Sequence, residues 1–69
     1  MPIILFKSIH YVLLAEKLLK EHNVKIDLRP APRFFSSSCG MCIAIEKEDL
    51  DLVKEILEKQ NIDFEIEKI

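Results

Sequence analysis

The sequence lacks the features that mark several large classes of protein. Its 12 acidic residues outnumber its 10 basic residues, which gives a net charge of −2. Phosphate binding needs a clear excess of basic side chains, so nucleic acid is not an expected partner. No stretch approaches the roughly 18 consecutive apolar residues that a membrane-spanning helix requires. We therefore expect neither nucleic-acid binding nor membrane insertion.

Cysteine is also scarce, with two residues in the chain. The apolar run at residues 1–6 is short and has no basic residues before it, so it is typical of a strand and not of a secretory signal. Two cysteines without such a signal indicate a reducing compartment and a functional pair. A disulfide between Cys39 and Cys42 would close too short a loop to stabilise the chain much. These observations predict a cytoplasmic protein.

The remaining composition is that of one small globular domain spanning residues 1–69. Hydrophobic residues make up 49% of the chain and charged residues 32%, which is typical of a globular protein and not of a disordered one. A core of this size barely offsets the conformational entropy of folding, about 1.5 kcal/mol for each ordered residue. We therefore expect self-association, in the form of a homodimer, to supplement the core.

The first half of the chain shows a strand–helix–strand pattern. Residues 3–6 form a continuous apolar run, as in a strand that is buried on both faces. Ser8 suits the N-cap of a helix from Ile9 to about His22, and Asn23 suits a left-handed helix stop. Residues 24–29 alternate between apolar and polar side chains, which is the period of a half-buried strand. The predicted apolar stripe of the helix comprises Val12, Ala15, Leu18 and Leu19.

The second half has the same order and follows a connection at residues 30–39, which contains two prolines, two aromatic residues and three serines. Strand-like residues 41–46 lead into a helix whose start is marked by the acidic Glu48 and Asp49. A second asparagine, Asn61, ends this helix, and residues 62–67 alternate as a last strand. The predicted apolar stripe of the helix comprises Leu50, Val53, Ile56 and Leu57.

Residues 18–28 and 56–66 resemble each other at a fixed offset of 38 positions. The order βαββαβ predicts a ferredoxin-like sandwich, in which a four-stranded antiparallel sheet carries two helices on one face. Right-handed crossovers place the first and third strands in the centre. The other face would then present an apolar surface that a partner covers. That surface would consist of either Ile3 and Leu5 or Ile4 and Phe6.

Both cysteines and the only glycine of the chain lie in the motif Cys39-Gly40-Met41-Cys42. No other side chain in this sequence is suited to act as a nucleophile or to bind a soft atom. A chemical function is therefore expected to be thiol chemistry centred on Cys39. The thiolate is the reactive form, and nearby cations or hydrogen-bond donors favour it.

The residues around Cys39 supply such groups. Arg33 is the candidate cation that stabilises an anion on a bound sulfur or selenium atom. Gly40 allows the backbone to approach a bound group closely or to adopt a positive φ. The candidate hydrogen-bond donors are the hydroxyl groups of Ser36, Ser37 and Ser38.

Cys42 has more than one interpretation. Strand alternation can turn it inward as a small core residue, or it can resolve an intermediate on Cys39 as a disulfide. The thioredoxin class is not indicated, because its cysteine pair opens a helix, whereas this pair enters a strand. Zinc requires four ligands, but a site shared by two copies or a two-coordinate Cu(I) site stays open. The alternative function is a small binding or interaction module whose Cys39/Cys42 pair is structural or binds Cu(I) or Zn(II).

Other side chains admit a structural interpretation. His10, in the first helical turn, and His22, near a helix C-terminus, are expected to be solvated. Phe34 and Phe35 flank the thiol segment, where they either shield a bound atom from water or anchor the connection to the core. None of these residues requires a catalytic role.

The sequence resembles the small DUF3343 family, which is described as selenium or sulfur carriers. The resemblance rests on residues 15–19 (Ala-Glu-Lys-Leu-Leu), residues 32–33 (Pro-Arg) and residues 36–40 (Ser-Ser-Ser-Cys-Gly). It implies a one-domain carrier that holds a persulfide or selenosulfide on Cys39. By position, Arg33 and Gly40 match the arginine and glycine of the family, whereas Cys42 departs from its pattern.

We therefore expect a carrier protein, not an enzyme, that has no cofactor of its own. The expected donor is a cysteine desulfurase or a selenocysteine lyase, and the acceptor is a second enzyme. The resemblance does not indicate which of the two elements is carried.

Overall fold

The computed structural model describes residues 1–32 and 40–68 of the chain. A four-residue strand, a long helix and a five-residue strand form the first half, and the same order follows in the second half. A single turn of 3-10 helix, Lys47–Asp49, leads directly into the second α-helix. The elements are β1 (Pro2–Leu5), α1 (Ile9–Glu21), β2 (Ile26–Pro30), β3 (Met41–Ile45), α2 (Leu50–Lys59) and β4 (Glu65–Lys68).

The strands form one sheet in the order β2-β3-β1-β4, and every neighbouring pair is antiparallel. The first and third strands are therefore central, as the sequence predicts. Ile4 of β1 lies between Ile43 of β3 and Ile66 of β4. The chain thus has the predicted ferredoxin-like arrangement of four antiparallel strands and two helices.

Both helices pack on the same face of this sheet. Val12 and Leu19 of α1 and Val53 and Leu57 of α2 share one buried cluster with Ile4 of β1. Alternate residues of a strand point to one face, so a single apolar layer of the sheet meets the apolar stripes of the two helices. The other buried members of this core are Phe6, Ala15, Val24, Ile43, Ile45, Ile56 and Ile62.

Both helices end in the same hydrogen-bonded motif. At the end of α1, the N–H of Val24 donates to the carbonyl of Leu19 (2.9 Å), and the N–H of Asn23 donates to that of Lys20 (3.0 Å). Asn23 has φ = 60°. This is a Schellman ending, in which a left-handed residue satisfies the last carbonyls of the helix. The predicted stop at Asn23 is confirmed.

The end of α2 repeats this arrangement 38 positions later. The N–H groups of Ile62 and Asn61 donate to Leu57 and Glu58 (both 3.1 Å), and Asn61 has φ = 56°. The structure corrects the predicted start of the strands that follow. Val24 and Ile62 are apolar because they pack at the helix ends, and their N–H groups bond to the helix instead of the sheet. Accordingly, β2 begins at Ile26 and β4 at Glu65.

The helix N-termini differ in detail from the expectation. Ser8 occupies the N-cap of α1, but its side chain makes no capping hydrogen bond. Its carbonyl instead accepts the N–H groups of Tyr11 (3.2 Å) and Val12 (3.3 Å). In the second half, the acidic Asp49 caps α2 at the end of the 3-10 turn, also without a side-chain hydrogen bond.

The face of the sheet that carries no helix is not exposed, which corrects one expectation. It carries Ile3, Leu5, Cys42 and Ala44, and the exposed fraction of each is at most 4%. Ala31, directly after β2, packs against this cluster. The longer polar side chains of the edge strands stand on either side of it, because the strand register places them on this face. These polar residues are Asp27 and Arg29 of β2 and Glu65 and Glu67 of β4.

Candidate functional site

The candidate site lies at the end of the sheet where β2 finishes and β3 begins. The N–H of Ala31 donates to the carbonyl of Gly40 (2.9 Å), one position beyond the last paired residues, Pro30 and Met41. This hydrogen bond continues the antiparallel pairing of the two strands. Residues 32 and 40 are therefore brought to the same end of the sheet, and Cys39 is one peptide bond from this point.

Gly40 adopts the left-handed conformation, with φ = 74°. A side chain placed on Gly40 would meet no atom within 4 Å, so conformation and not space is what favours glycine here. L-residues other than asparagine and aspartate rarely adopt this region, whereas glycine does so at little cost. The expected positive φ is confirmed, and it sets the direction in which the chain enters β3.

Cys42 is turned into the protein. Its exposed fraction is 1%, and it packs with Ile3, Leu5 and Ala44 on the sheet face that has no helix. The Sγ atom lies 3.9 Å from the carbonyl oxygen of Pro30, to which the thiol donates a weak hydrogen bond. Apolar burial disfavours the thiolate relative to the neutral thiol. The expectation that strand alternation turns Cys42 inward is confirmed, and its part as a resolving thiol stays a prediction.

The remaining residues of the predicted site lie outside the described residues. They are Arg33, Ser36, Ser37, Ser38 and Cys39, together with the flanking Phe34 and Phe35. Their expected parts in holding a sulfur or selenium atom stay predictions.

A second arginine in the same part of the chain is described. Arg29 lies opposite Cys42 in the register of β2 and β3, on the same face of the sheet. Its Nε donates to Oδ2 of Asp27 at 2.7 Å, and both side chains are about half exposed. This cation is therefore partly neutralised by a neighbouring carboxylate on its own strand.

The first turn of α1 lies at the same end of the sheet as Gly40. β1 ends at Leu5, which is opposite Cys42 of β3, and α1 begins four residues later. The connection between them is tied to the start of β4 by an exposed ion pair from Lys7 Nζ to Asp63 Oδ2 (3.2 Å). His10 is exposed, as expected.

Metal-binding groups do not converge in the described part of the chain. Residues 1–32 and 40–68 contain no group of three or more histidine, cysteine, aspartate or glutamate side chains that could hold a metal ion. In the same ranges, no helix is long and apolar enough to cross a bilayer.

The sequence interpretation missed a set of apolar side chains on the outer surface of α1. Ile9, Tyr11, Leu13 and Leu14 are all exposed, although they belong to the large apolar residues. They lie outside the apolar stripe that the helical spacing predicts to be buried. Comparison with the equivalent positions of the second half would have revealed them, because most of those positions carry charged residues.

No curated protein and no solved structure matches the chain. A family of proteins does match it, over residues 1–67. This match includes β1 to β3, both helices, all of β4 except its last residue, and both cysteines. It agrees with the resemblance carried by the Pro-Arg and Ser-Ser-Ser-Cys-Gly segments. The chain belongs to the family described as "Putative Se/S carrier protein-like".

Proposed function

We propose that the chain carries a sulfur or selenium atom on Cys39, as a persulfide or selenosulfide, and passes it between two enzymes. The observation that carries this proposal is the contrast around Gly40. Cys42 is 1% exposed, whereas Gly40, the neighbour of Cys39 in the chain, is exposed at the end of the sheet. A carrier thiol has to reach the active sites of other proteins, so Cys39 is the better candidate of the two.

Loading of the carrier is a thiol exchange that conserves atoms and electrons. The Cys39 thiolate attacks the terminal sulfur of a donor persulfide, and the donor's sulfur–sulfur bond breaks. The donor cysteine leaves as a thiolate, and the terminal sulfur with its proton is now bonded to the Cys39 sulfur. Selenium transfers in the same way from a donor selenosulfide. The reaction needs no outside oxidant or reductant, and the chain needs no cofactor.

The chemistry also defines the partners and the setting. The donor is a cysteine desulfurase or a selenocysteine lyase, since these enzymes release sulfur or selenium from an amino acid. The acceptor is a second enzyme that takes the atom from Cys39. A thiol carrier has to stay reduced between transfers, which favours the cytoplasm. A homodimer is compatible with this function, but the helix-free sheet face that motivated it is buried within one chain.

Mass spectrometry tests the proposal directly. The reduced protein is incubated with a cysteine desulfurase and L-cysteine, or with a selenocysteine lyase and selenocysteine, and then analysed intact. We expect one added sulfur or selenium atom that is removed by a reducing thiol. The adduct should disappear in Cys39→Ser and persist in the matched variant Cys42→Ser. No adduct on the parent protein with any donor would rule the carrier function out.

The metal-binding alternative requires the Cys42 thiol as a ligand, whereas the carrier function does not. A two-coordinate Cu(I) site needs both thiolates, and the Cys42 thiol is buried and directed at the carbonyl of Pro30. Titration of the reduced protein with Cu(I) or Zn(II) distinguishes the two functions. Tight binding that is lost in both Cys39→Ser and Cys42→Ser would favour the binding module.

A further inference from the structure

The outer surface of α1 is unusually apolar in its first half. The exposed fractions are 50% for Ile9, 39% for Tyr11, 55% for Leu13 and 37% for Leu14. Single exposed apolar residues are common, but a contiguous group on one helix marks an interaction surface. We call these four residues the α1 patch.

The four residues form one surface and not two isolated pairs. Ile9 and Leu13 are neighbours at the helical spacing of four residues. The ring of His10 lies between the two sides of the patch and makes an edge contact with the ring of Tyr11, at a centroid distance of 5.7 Å. Lys17 follows Leu13 by four residues and Leu14 by three, so its alkyl stem continues the surface along the helix.

The second half of the chain shows that the fold does not require this patch. Shifting α1 by 38 positions gives residues 47–59, which are the 3-10 turn and α2 together. The buried Leu19 corresponds to the buried Leu57, so the two helices use equivalent positions for the core. At three of the four patch positions, however, the second half carries charged residues. Ile9, Tyr11 and Leu13 correspond to Lys47, Asp49 and Asp51, and only Leu14 has an apolar equivalent, Leu52.

The patch lies at the functional end of the molecule. α1 runs across β3 and β2, and its first turn is at the end of the sheet where β3 begins with Met41. Leu52, the exposed apolar residue of α2, lies near the N-terminus of its helix. Because α2 runs from the end of β3 back towards the start of β4, Leu52 is at the opposite end of the sheet.

The four side chains of the patch are by themselves too small for the interface of a stable dimer. Its four partly exposed side chains offer a few hundred Å² of apolar surface at most, which is the size of an ordinary exposed patch on a monomer. A stable interface buries about 800 Å² on each partner, so the patch suits a brief encounter. Among the described residues, no carboxylate pairs with Lys17 at the edge of the patch, whereas Lys20 pairs with Glu16 at 3.1 Å. A matching partner surface is therefore an apolar groove with one carboxylate placed to meet Lys17.

We propose that the α1 patch is the docking surface for the donor enzyme that loads Cys39, through such a groove beside the donor's catalytic cysteine. This inference rests on the carrier function proposed above. Docking at the patch places the sheet end that carries Gly40 against the donor. Transfer between proteins then depends on Ile9 and Leu13, whereas loading by a small molecule does not.

The experiment compares the two ways of loading in the full-length protein. The two donors, used separately, are a purified cysteine desulfurase with L-cysteine and inorganic polysulfide. The Cys39 thiolate attacks the terminal sulfur of the polysulfide, the terminal sulfur–sulfur bond breaks, and the shortened polysulfide leaves as an anion. The test variant is Ile9→Lys combined with Leu13→Asp, which copies the residues of the second half and leaves the net charge unchanged. The matched controls are Leu52→Asp and Leu52→Lys, on an exposed apolar residue of α2. Thermal unfolding verifies that each variant is folded, and Leu13→Gln replaces the double variant if that one is unfolded.

We expect the patch variant to be loaded by the desulfurase at least 10-fold more slowly at low carrier concentration, with unchanged loading by polysulfide. The two Leu52 variants should match the parent protein with both donors. Equal desulfurase rates for patch and control variants would overturn the docking surface and leave the carrier function intact. The docking surface would also be overturned if the parent protein is loaded by polysulfide but not by the desulfurase. The same conclusion would follow if the parent protein sediments as a dimer and the patch variant sediments as a monomer. Loading by neither donor would remove the carrier function itself.

Discussion

The two strand–helix–strand halves of the chain match at their buried positions and differ on the outer faces of their helices. Leu19 and Leu57 are both fully buried, and Asn23 and Asn61 both end a helix with a positive φ. Outside the core, Ile9, Tyr11 and Leu13 of the first helix correspond to charged residues in the second half, whereas Leu14 corresponds to Leu52. The buried positions and the helix ends are therefore what the fold demands. Differences between the halves indicate positions that are free to serve function.

The largest expected effect tests whether the halves contribute equally to the core. Leu19→Ala and Leu57→Ala each remove a fully buried side chain next to a helix end. We expect each to lower the free energy of unfolding by about 2–5 kcal/mol, because both leave a cavity in a close-packed core. Urea unfolding followed by circular dichroism measures the loss. A difference of more than about 2 kcal/mol between the two losses would show that one helix contributes more to the stability of the core than the other. The two halves would then not be energetically equivalent.

The matched control uses exposed leucines from the same two helices. Leu14→Ala and Leu52→Ala should each change the free energy of unfolding by less than about 0.5 kcal/mol, because both residues are exposed in the folded chain. A large loss at Leu14 alone would mean that the α1 patch stabilises the fold, and the docking inference would lose its basis.

The next effect concerns the reactivity of the two thiols, Cys39 and Cys42, which have no counterpart in the first half of the chain. We expect Cys42 in the Cys39→Ser variant to be alkylated on the order of 100-fold more slowly than Cys39 in the Cys42→Ser variant. The buried thiol has to be exposed by local unfolding before it reacts, and such openings cost a few kcal/mol. Iodoacetamide labelling followed by mass spectrometry at several pH values gives both rates. Faster labelling of Cys42 at neutral pH would reverse the assignment of the carrier thiol.

Arg33 can be tested in the same assay. If it stabilises the Cys39 thiolate, Arg33→Ala should shift the pH profile of Cys39 alkylation to higher pH, because a nearby cation favours the ionised thiol. An unchanged profile would make this arginine structural. The assignment of Cys39 itself would be unaffected by that result.

A smaller effect is expected at the two helix ends. Asn23→Ala and Asn61→Ala force an alanine into the left-handed region, at a cost of about 1–2 kcal/mol each. Glycine at the same positions should be tolerated, since it adopts a positive φ without a steric penalty. The shift of the urea midpoint measures both series. Unequal alanine penalties at the two sites would show that the shared hydrogen bonds do not make the two helix ends equivalent.

The smallest expected effect concerns the ion pair between Lys7 and Asp63. Both side chains are about three-quarters exposed, so solvent screens their attraction. We expect Lys7→Ala to cost less than about 0.5 kcal/mol. The pair connects the start of α1 to the start of β4. A larger loss of unfolding free energy would show that the Lys7 side chain stabilises the fold through contacts other than this ion pair.

The sequence predicts most of the fold because its local signals agree with one another. The asparagine stops, the apolar stripes of both helices and the offset of 38 positions lead to the observed strand order. The starts of β2 and β4 were misplaced because Val24 and Ile62 are apolar for another reason, which is packing at a helix end. The continuous apolar run of β1 cannot reveal which residues face the helices, since both faces are buried.

The candidate site was predictable only in part. The positive φ of Gly40 and the inward position of Cys42 follow from glycine chemistry and strand alternation. The pairing of Arg29 with Asp27 depends on the geometry of an edge strand and was not foreseen. The burial of Ile3 and Leu5 within one chain also could not be read from the pattern. Periodicity indicates which side chains share a face, but it does not show what packs against that face.

The order of the sheet has a consequence for how the protein behaves at high concentration. In the described part of the chain, β2 and β4 are the outer strands, and each pairs on one side only. Unpaired backbone groups along such edges can recruit strands from other molecules and start aggregation. Charged side chains on both outer strands and a proline at the end of β2, which has no N–H to donate, oppose this process. A chain with sheet edges of this kind can stay dispersed at high concentration, because neither outer strand readily pairs with a strand of another copy.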